Sequence, residues 1–229
     1  MNRTKIDDRQ LPNYTRSEEI FNMVTHIVGG SFGIVVLALC ISFSLIGKNY
    51  WGLAGGAIDG LMMIFLYTVS SVYHGLKPDR AKKVMQVLDH CTIYALILGT
   101  YAPILLTGLR AYNPRLTVVL SAVIVAGTAV GVTFTAVDFK RYRLLAYGGY
   151  FTVGWCIIFA VKPLIAAFCP AFFLWLLAGG VVYTLGMIFF TIGIKKRYFH
   201  SIFHIFIVAG SVLQFIPIFQ YCIITAPAI

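Results

Sequence analysis

Long apolar runs alternate with short polar breaks along the whole chain. Seven runs reach roughly 20 residues, the length that crosses a hydrocarbon core of about 30 Å. They predict helices over 24–46, 53–75, 86–108, 116–136, 144–162, 171–193 and 201–224. The breaks between them are "GKNY", "GLKPDRAKK", "RAYNPR", "VDFKRYR", "KPLIAAFCP" and "IKKRYFH". A helix satisfies its own backbone in lipid, so the expected fold is all-α, an integral membrane seven-transmembrane-helix bundle. Pro163 and Pro170 bracket the apolar "LIAAF" and argue for a turn there rather than one continuous helix.

The segment before the first run divides the chain into a cytoplasmic N-terminal part, 1–23, and a transmembrane domain, 24–229. In "SEEIFNMVTHIVGG" the pattern suggests a short polar helix leading into span one, capped by Ser17, with Glu18 and Glu19 in its first turn. The first twenty residues mix charges of both signs and hold no signal-peptide core, so the first span is expected to act as its own insertion signal. Gly29 and Gly33, Gly52, Gly56 and Gly60, and Gly127 and Gly131 recur at four-residue spacing and predict close helix contacts. Pro103 and Pro217 fall inside spans, where each removes a backbone hydrogen bond and predicts a kink.

Composition agrees with a lipid environment: 59% of the 229 residues are hydrophobic and 11% are charged. The net charge of +10 lies in short clusters between apolar spans. No continuous basic face with interleaved aromatics can form, which excludes a nucleic-acid partner. Of the 18 Lys and Arg, 14 fall in the N-terminus and the second, fourth and sixth breaks, against 4 on the other side. The positive-inside rule therefore predicts a cytoplasmic N-terminus and an extracytoplasmic C-terminus. Five scattered cysteines without a C-x-x-C pair suggest neither a disulfide framework nor a thiolate metal site. No lysine lies in 201–224, which excludes a retinal-binding protein, and no ring of charges lines a pore.

That orientation puts all five histidines at the cytoplasmic ends of spans. His200 and His204, four apart in "YFHSIFHIF", project from one helical face and can chelate one ion. His74, ending "YTVSSVYHGL", is the natural third ligand, and three imidazoles leave a fourth position open as in catalytic zinc sites. An all-imidazole shell favours zinc, although copper, iron and nickel also accept it. The alternative is a set of interfacial histidines bonded to carbonyls or headgroups. Asp89 sits at the same face, able to hold a metal-bound water and act as general base, or else to pair with Lys82 or Lys83. Ser70, one turn before His74, can orient a water or substrate oxygen. His90 points about 100° from Asp89 on a helix and is not expected to share the site. His26 is read as a capping and packing residue, and Asp59, toward the other side of span two, has no assigned role.

Taken in order on seven spans, "EEIFNMVTH", "SSVYHGL", "LDHCTIYALILGTYAP" and "HSIFHIF" resemble the haemolysin III family, the bacterial branch of the progestin and adipoQ receptor family. The resemblance covers nearly the whole chain. It implies a multi-pass protein of the bacterial inner (plasma) membrane, with zinc on His74, His200 and His204, Asp89 near the metal through water, and Ser70 beside the first ligand. The wider superfamily includes alkaline ceramidases, so the resemblance also implies a zinc-dependent hydrolase of lipid amides, with membrane lipids as partners and an acyl chain on the substrate. The other implied role is non-enzymatic: membrane homeostasis, sensing or cytolysis, with zinc as a structural clip. The sequence sets no oligomeric state.

Overall fold

A computed structural model describes residues 4–225; 1–3, with Arg3 of the basic N-terminus, and 226–229 lie outside the described residues. Seven helices are long and apolar enough to cross a membrane: Arg16–Ile46 (α1), Tyr50–Gly75 (α2), Arg80–Tyr112 (α3), Pro114–Asp138 (α4), Arg143–Ala167 (α5), Pro170–Gly193 (α6) and Phe199–Ile224 (α7). No strand is present among the described residues. The chain is a seven-helix membrane protein, as the apolar runs predict. Its helices overrun the predicted spans because polar first turns are still helical when their ends are capped. Asp79 accepts from the Lys82 N–H at 2.9 Å to start α3, and Asn113 accepts from the Leu116 N–H at 3.1 Å to start α4.

Two local expectations are corrected. The polar segment before span one is no separate short helix but the first turns of α1, which runs unbroken for 31 residues. Its cap is Thr15, not Ser17: the Thr15 hydroxyl and the Glu18 carboxylate close a reciprocal capping box. The turn expected between Pro163 and Pro170 is present, at Phe168 and Cys169, with Pro170 opening α6. Pro163 is third in the helical segment Val161–Ala167, where its missing N–H belongs to first-turn donors that have no intrahelical acceptor. A tighter 3-10 segment, Cys156–Ala160, lies upstream within α5.

The two internal prolines do change their helices: Pro103 is followed by a kink, and Pro217 by a widened but continuous helix. After Pro103, α3 passes through a π-helical segment, Leu105–Leu109, in which Thr107 leaves helical dihedrals at φ −103, ψ −105. Its hydroxyl donates to the Pro103 carbonyl at 2.6 Å. After Pro217, α7 ends as π-helical Ile218–Ile224.

Burial ranks the helices by position. In its most apolar stretch α3 is 61% buried against 22% for α4 and α6, so α3 is central and the other two face lipid. Phenols tie α3 to α5: Tyr94 donates to the Ala146 carbonyl at 3.0 Å and Tyr150 to the His90 carbonyl at 2.8 Å. On the other flank α1 and α2 approach closely at glycine. A Cβ on Gly60 would lie 2.8 Å from the Leu37 Cα, a backbone contact that cannot yield. Gly60→Val is expected to lower stability by about 1–3 kcal/mol through overpacking. Thermal unfolding in detergent measures it, with Gly148→Val, where a Cβ meets nothing within 4 Å, as the neutral control.

Candidate metal centre

The start of α7 is fixed by a contact with α1. Tyr198 caps α7 in the left-handed region, φ 64, which is strained for a residue with a side chain. Its N–H donates to Glu18 Oε1 at 2.6 Å, while Glu18 Oε2 accepts from the Thr15 N–H at 2.8 Å. The charge-assisted bond offsets the strain and sets the rotation of α7. That rotation turns His200 and His204 inward, and their Nε2 atoms stand 3.1 Å apart.

His74, from the end of α2, completes a group in which one nitrogen of each ring lies within 4.8 Å of the others. All three residues are buried. His74 Nδ1 is held by Glu19 Oε2 at 2.6 Å, which leaves its Nε2 buried and without a partner. This is the arrangement of a metal-ligating histidine, one nitrogen oriented by a carboxylate and the other free. The Nε2 separation of His200 and His204 is close to the roughly 3.3 Å that two nitrogens take on one tetrahedral zinc. The three rings fit a zinc-sized ion.

Glu19 had no such role in the sequence reading, where it was only a first-turn acid. It also pairs with Lys82 Nζ at 2.7 Å, and Lys82 donates in turn to the Leu76 carbonyl at 3.0 Å. Lys83 Nζ bonds the Asp7 carbonyl at 2.5 Å. Neither lysine is therefore the partner of Asp89, contrary to the alternative drawn from sequence.

Asp89, Ser70 and His204 line one cavity of about 410 Å³. Asp89 is 15% exposed at its side chain, and the Ser70 hydroxyl lies beside it without closing a well-aligned hydrogen bond. Ser71 differs, donating to the Tyr67 carbonyl at 2.7 Å. His90 lines the same cavity, its Nδ1 being 3.9 Å from Asp89 Oδ2 and 2.6 Å from the Gln86 carbonyl. The expectation that His90 stands apart is thus corrected, because the wall of the cavity spans more of α3 than one helical face. His26 is more than a capping residue: its ring stacks on His204 with centroids 3.8 Å apart, and neither nitrogen has a hydrogen bond.

From the histidine end the cavity runs between α3, α5, α6 and α7 toward Ile104, Leu176 and Gln214, and its wall is overwhelmingly apolar. Phe151 and Ile158 of α5 and Ile188 of α6 line it and are about half exposed on the outer face. The cavity therefore meets the lipid-facing surface between α5 and α6. On the opposite side the N-terminal segment roofs the histidines. The Tyr14 ring stacks on His200 at 5.0 Å, and burial, with the Asp89 and Glu19 carboxylates nearby, raises its phenol pKa. Upstream, Thr4 Oγ1 bonds Asp138 Oδ2 at 2.5 Å and Arg9 donates to the Val137 carbonyl at 2.8 Å.

The sequence pattern described as Haemolysin-III related matches residues 14–215, from the Tyr14 roof to beyond the last histidine. The chain belongs to the haemolysin III family. Among haemolysin III proteins, the "Hemolysin-3 homolog" of Bacillus subtilis (strain 168) is 34% identical over 210 residues, covering 92% of this chain and 97% of that one. "Hemolysin-3" of Bacillus cereus is 34% identical over 209 residues, 91% and 94% of the two chains. The human "Monocyte to macrophage differentiation factor", of the progestin and adipoQ receptor family, is 26% identical over 184 residues, 77% and 74% of the two chains. All five histidines of this chain gather at one end of the bundle: ring contacts run from His26 through His204, His200 and Phe190 to His90, and His74 joins them at His200 and His204.

Proposed function

We propose that this protein is a zinc-dependent hydrolase of lipid amide bonds in the bacterial plasma membrane, with its histidine end cytoplasmic. The observation that carries the reading is that one apolar, acyl-sized cavity is lined at one end by His204, a member of the buried three-histidine group, together with Asp89 and Ser70. His74, His200 and His204 would hold the zinc. When bound, zinc supplies Lewis acidity toward a carbonyl and makes water a nucleophile near neutral pH. Asp89 takes the proton of the attacking water at a carboxylate oxygen and returns it to the leaving amine. Ser70 orients the water or the substrate oxygen through its open hydroxyl. The cavity holds the acyl chain, entered from lipid between α5 and α6, and the Tyr14 roof keeps bulk water off the histidines. The cytoplasmic placement of this end rests on the 14 to 4 division of Lys and Arg.

Glu19→Gln keeps the shape of the His74 contact but removes its charge. It is expected to weaken zinc binding by about 10–100-fold, measured by competition with a chelator. To test the function, purified protein is incubated with N-acyl sphingoid and N-acyl ethanolamine lipids and free fatty acid is assayed. Release that a chelator stops and zinc restores supports the reading. No release from either lipid class, at full zinc occupancy, leaves the metal as a clip and favours the lytic role that the name of the Bacillus cereus relative carries.

A further inference from the structure

Tryptophans of membrane helices belong at the two interfaces, where the indole N–H meets water or headgroups. Trp51 and Trp175 follow that rule, within the first two turns of α2 and α6. Trp155 does not. It stands midway along α5, Arg143–Ala167, near the centre of a hydrocarbon core of about 30 Å, where an N–H needs a partner inside the protein. The partner is on the neighbouring helix. Trp155 Nε1 donates to Thr184 Oγ1 of α6 at 3.0 Å, and that hydroxyl donates to the Gly180 carbonyl at 2.8 Å.

This bond crosses a seam that side chains do not fill. Gly154, Trp155, Gly180 and Thr184 all line the cavity, along the stretch where Phe151 and Ile158 carry its wall to the lipid-facing surface. The two glycines are not there for close packing. A Cβ on Gly154 would meet nothing within 4 Å, and one on Gly180 would meet first the Trp155 ring, at 3.5 Å. Gly149 and Gly179 of the same helices are different, since their Cβ positions are already taken by Tyr94 Oη and Gln214 Cγ. Membrane helices associate through van der Waals packing, so a seam left unfilled beside Trp155 forfeits part of what joins α5 to α6. The gap is apolar, opens inward on the cavity and faces lipid outward, which suits a hydrocarbon chain and no polar solute. To let a chain by, the indole must swing and give up a hydrogen bond that lipid cannot replace.

We propose that Trp155 is the bar of a lateral portal that admits a single acyl chain of a membrane lipid between α5 and α6. Gly154 and Gly180 leave the track, and Thr184 holds the indole across it. The inference takes its acyl occupant from the reading above, but needs neither zinc nor turnover. Uptake of an anthroyloxy-labelled stearate by purified full-length protein is followed by stopped flow, through energy transfer from tryptophan. Signal that excess unlabelled stearate removes is specific. Thr184→Val leaves the indole without its acceptor and is expected to raise the uptake and release rates alike, by about fivefold, with Kd unchanged. Gly180→Leu fills the gap and is expected to slow uptake by about tenfold or more, with thermal unfolding confirming that the variant is folded. No specific uptake by the unmutated protein overturns the proposal together with the acyl occupant. Unchanged or slower uptake in Thr184→Val, or undiminished uptake in Gly180→Leu, overturns the portal and leaves the acyl cavity standing. Because the rates are read without hydrolysis, a protein that cleaves no amide and still shows both shifts keeps the portal and loses only the hydrolase reading.

Discussion

His204→Ala is expected to lose its zinc and, with it, all measurable turnover of an N-acyl lipid. His204 is 1% exposed and its Nε2 faces that of His200, so its removal leaves two ligands on an ion that needs three protein donors and an open position. Water bound to zinc has a pKa near 7 against about 16 in bulk, so loss of the ion is expected to lower kcat by at least about three orders of magnitude. Stability falls as well. An ion that binds only the folded chain contributes about 4 kcal/mol at a thousand times its Kd, and one held by these three histidines would join α2 to α7. Elemental analysis and thermal unfolding of the same preparation read both effects. A variant that kept its zinc would remove His204 from the ligand set.

Asp89→Asn separates chemistry from binding. The amide is nearly isosteric with the carboxyl and can still hydrogen-bond, but it cannot take a proton. Turnover is expected to fall by about 10²–10⁴ with zinc content unchanged. The acidic limb that a base at Asp89 would give the pH profile of kcat/KM in the unmutated protein is expected to vanish along with it. Unchanged turnover contradicts a base at this position. Loss of zinc from the variant would make Asp89 a ligand rather than a base.

The seven spans were legible because lipid makes hydrophobicity nearly sufficient: each helix satisfies its own backbone, and only its length and breaks need to be read. The changes of helix at Pro103 and Pro217 were legible for the same local reason, a missing N–H. The turn between Pro163 and Pro170 was legible too, although Pro163 itself stays helical because its missing N–H falls in a first turn and Pro170 opens the next helix. The histidines could be placed at one end by counting loops, and the spacing of His200 and His204 gave the shared face. Their company could not be read so directly. Glu19 reaches His74 across 55 residues, and Tyr14 stacks on His200 across a still longer separation. Both contacts depend on which way α1 and α7 are turned, which the Glu18 contact with Tyr198 sets without any periodic signature. The nearest local hint was the spacing of Glu18, Asn22 and His26, which form one buried stripe down α1. The cavity was invisible in the sequence, because it is made by what α3, α5, α6 and α7 leave unfilled between them.

X-ray absorption at the zinc edge, on protein purified without added metal, tests the central claim most directly. The account predicts about one zinc per chain with three imidazole nitrogens and one oxygen donor, all at roughly 2.0–2.2 Å. A protein that carries no transition metal, or a spectrum dominated by sulfur at about 2.3 Å, would contradict it.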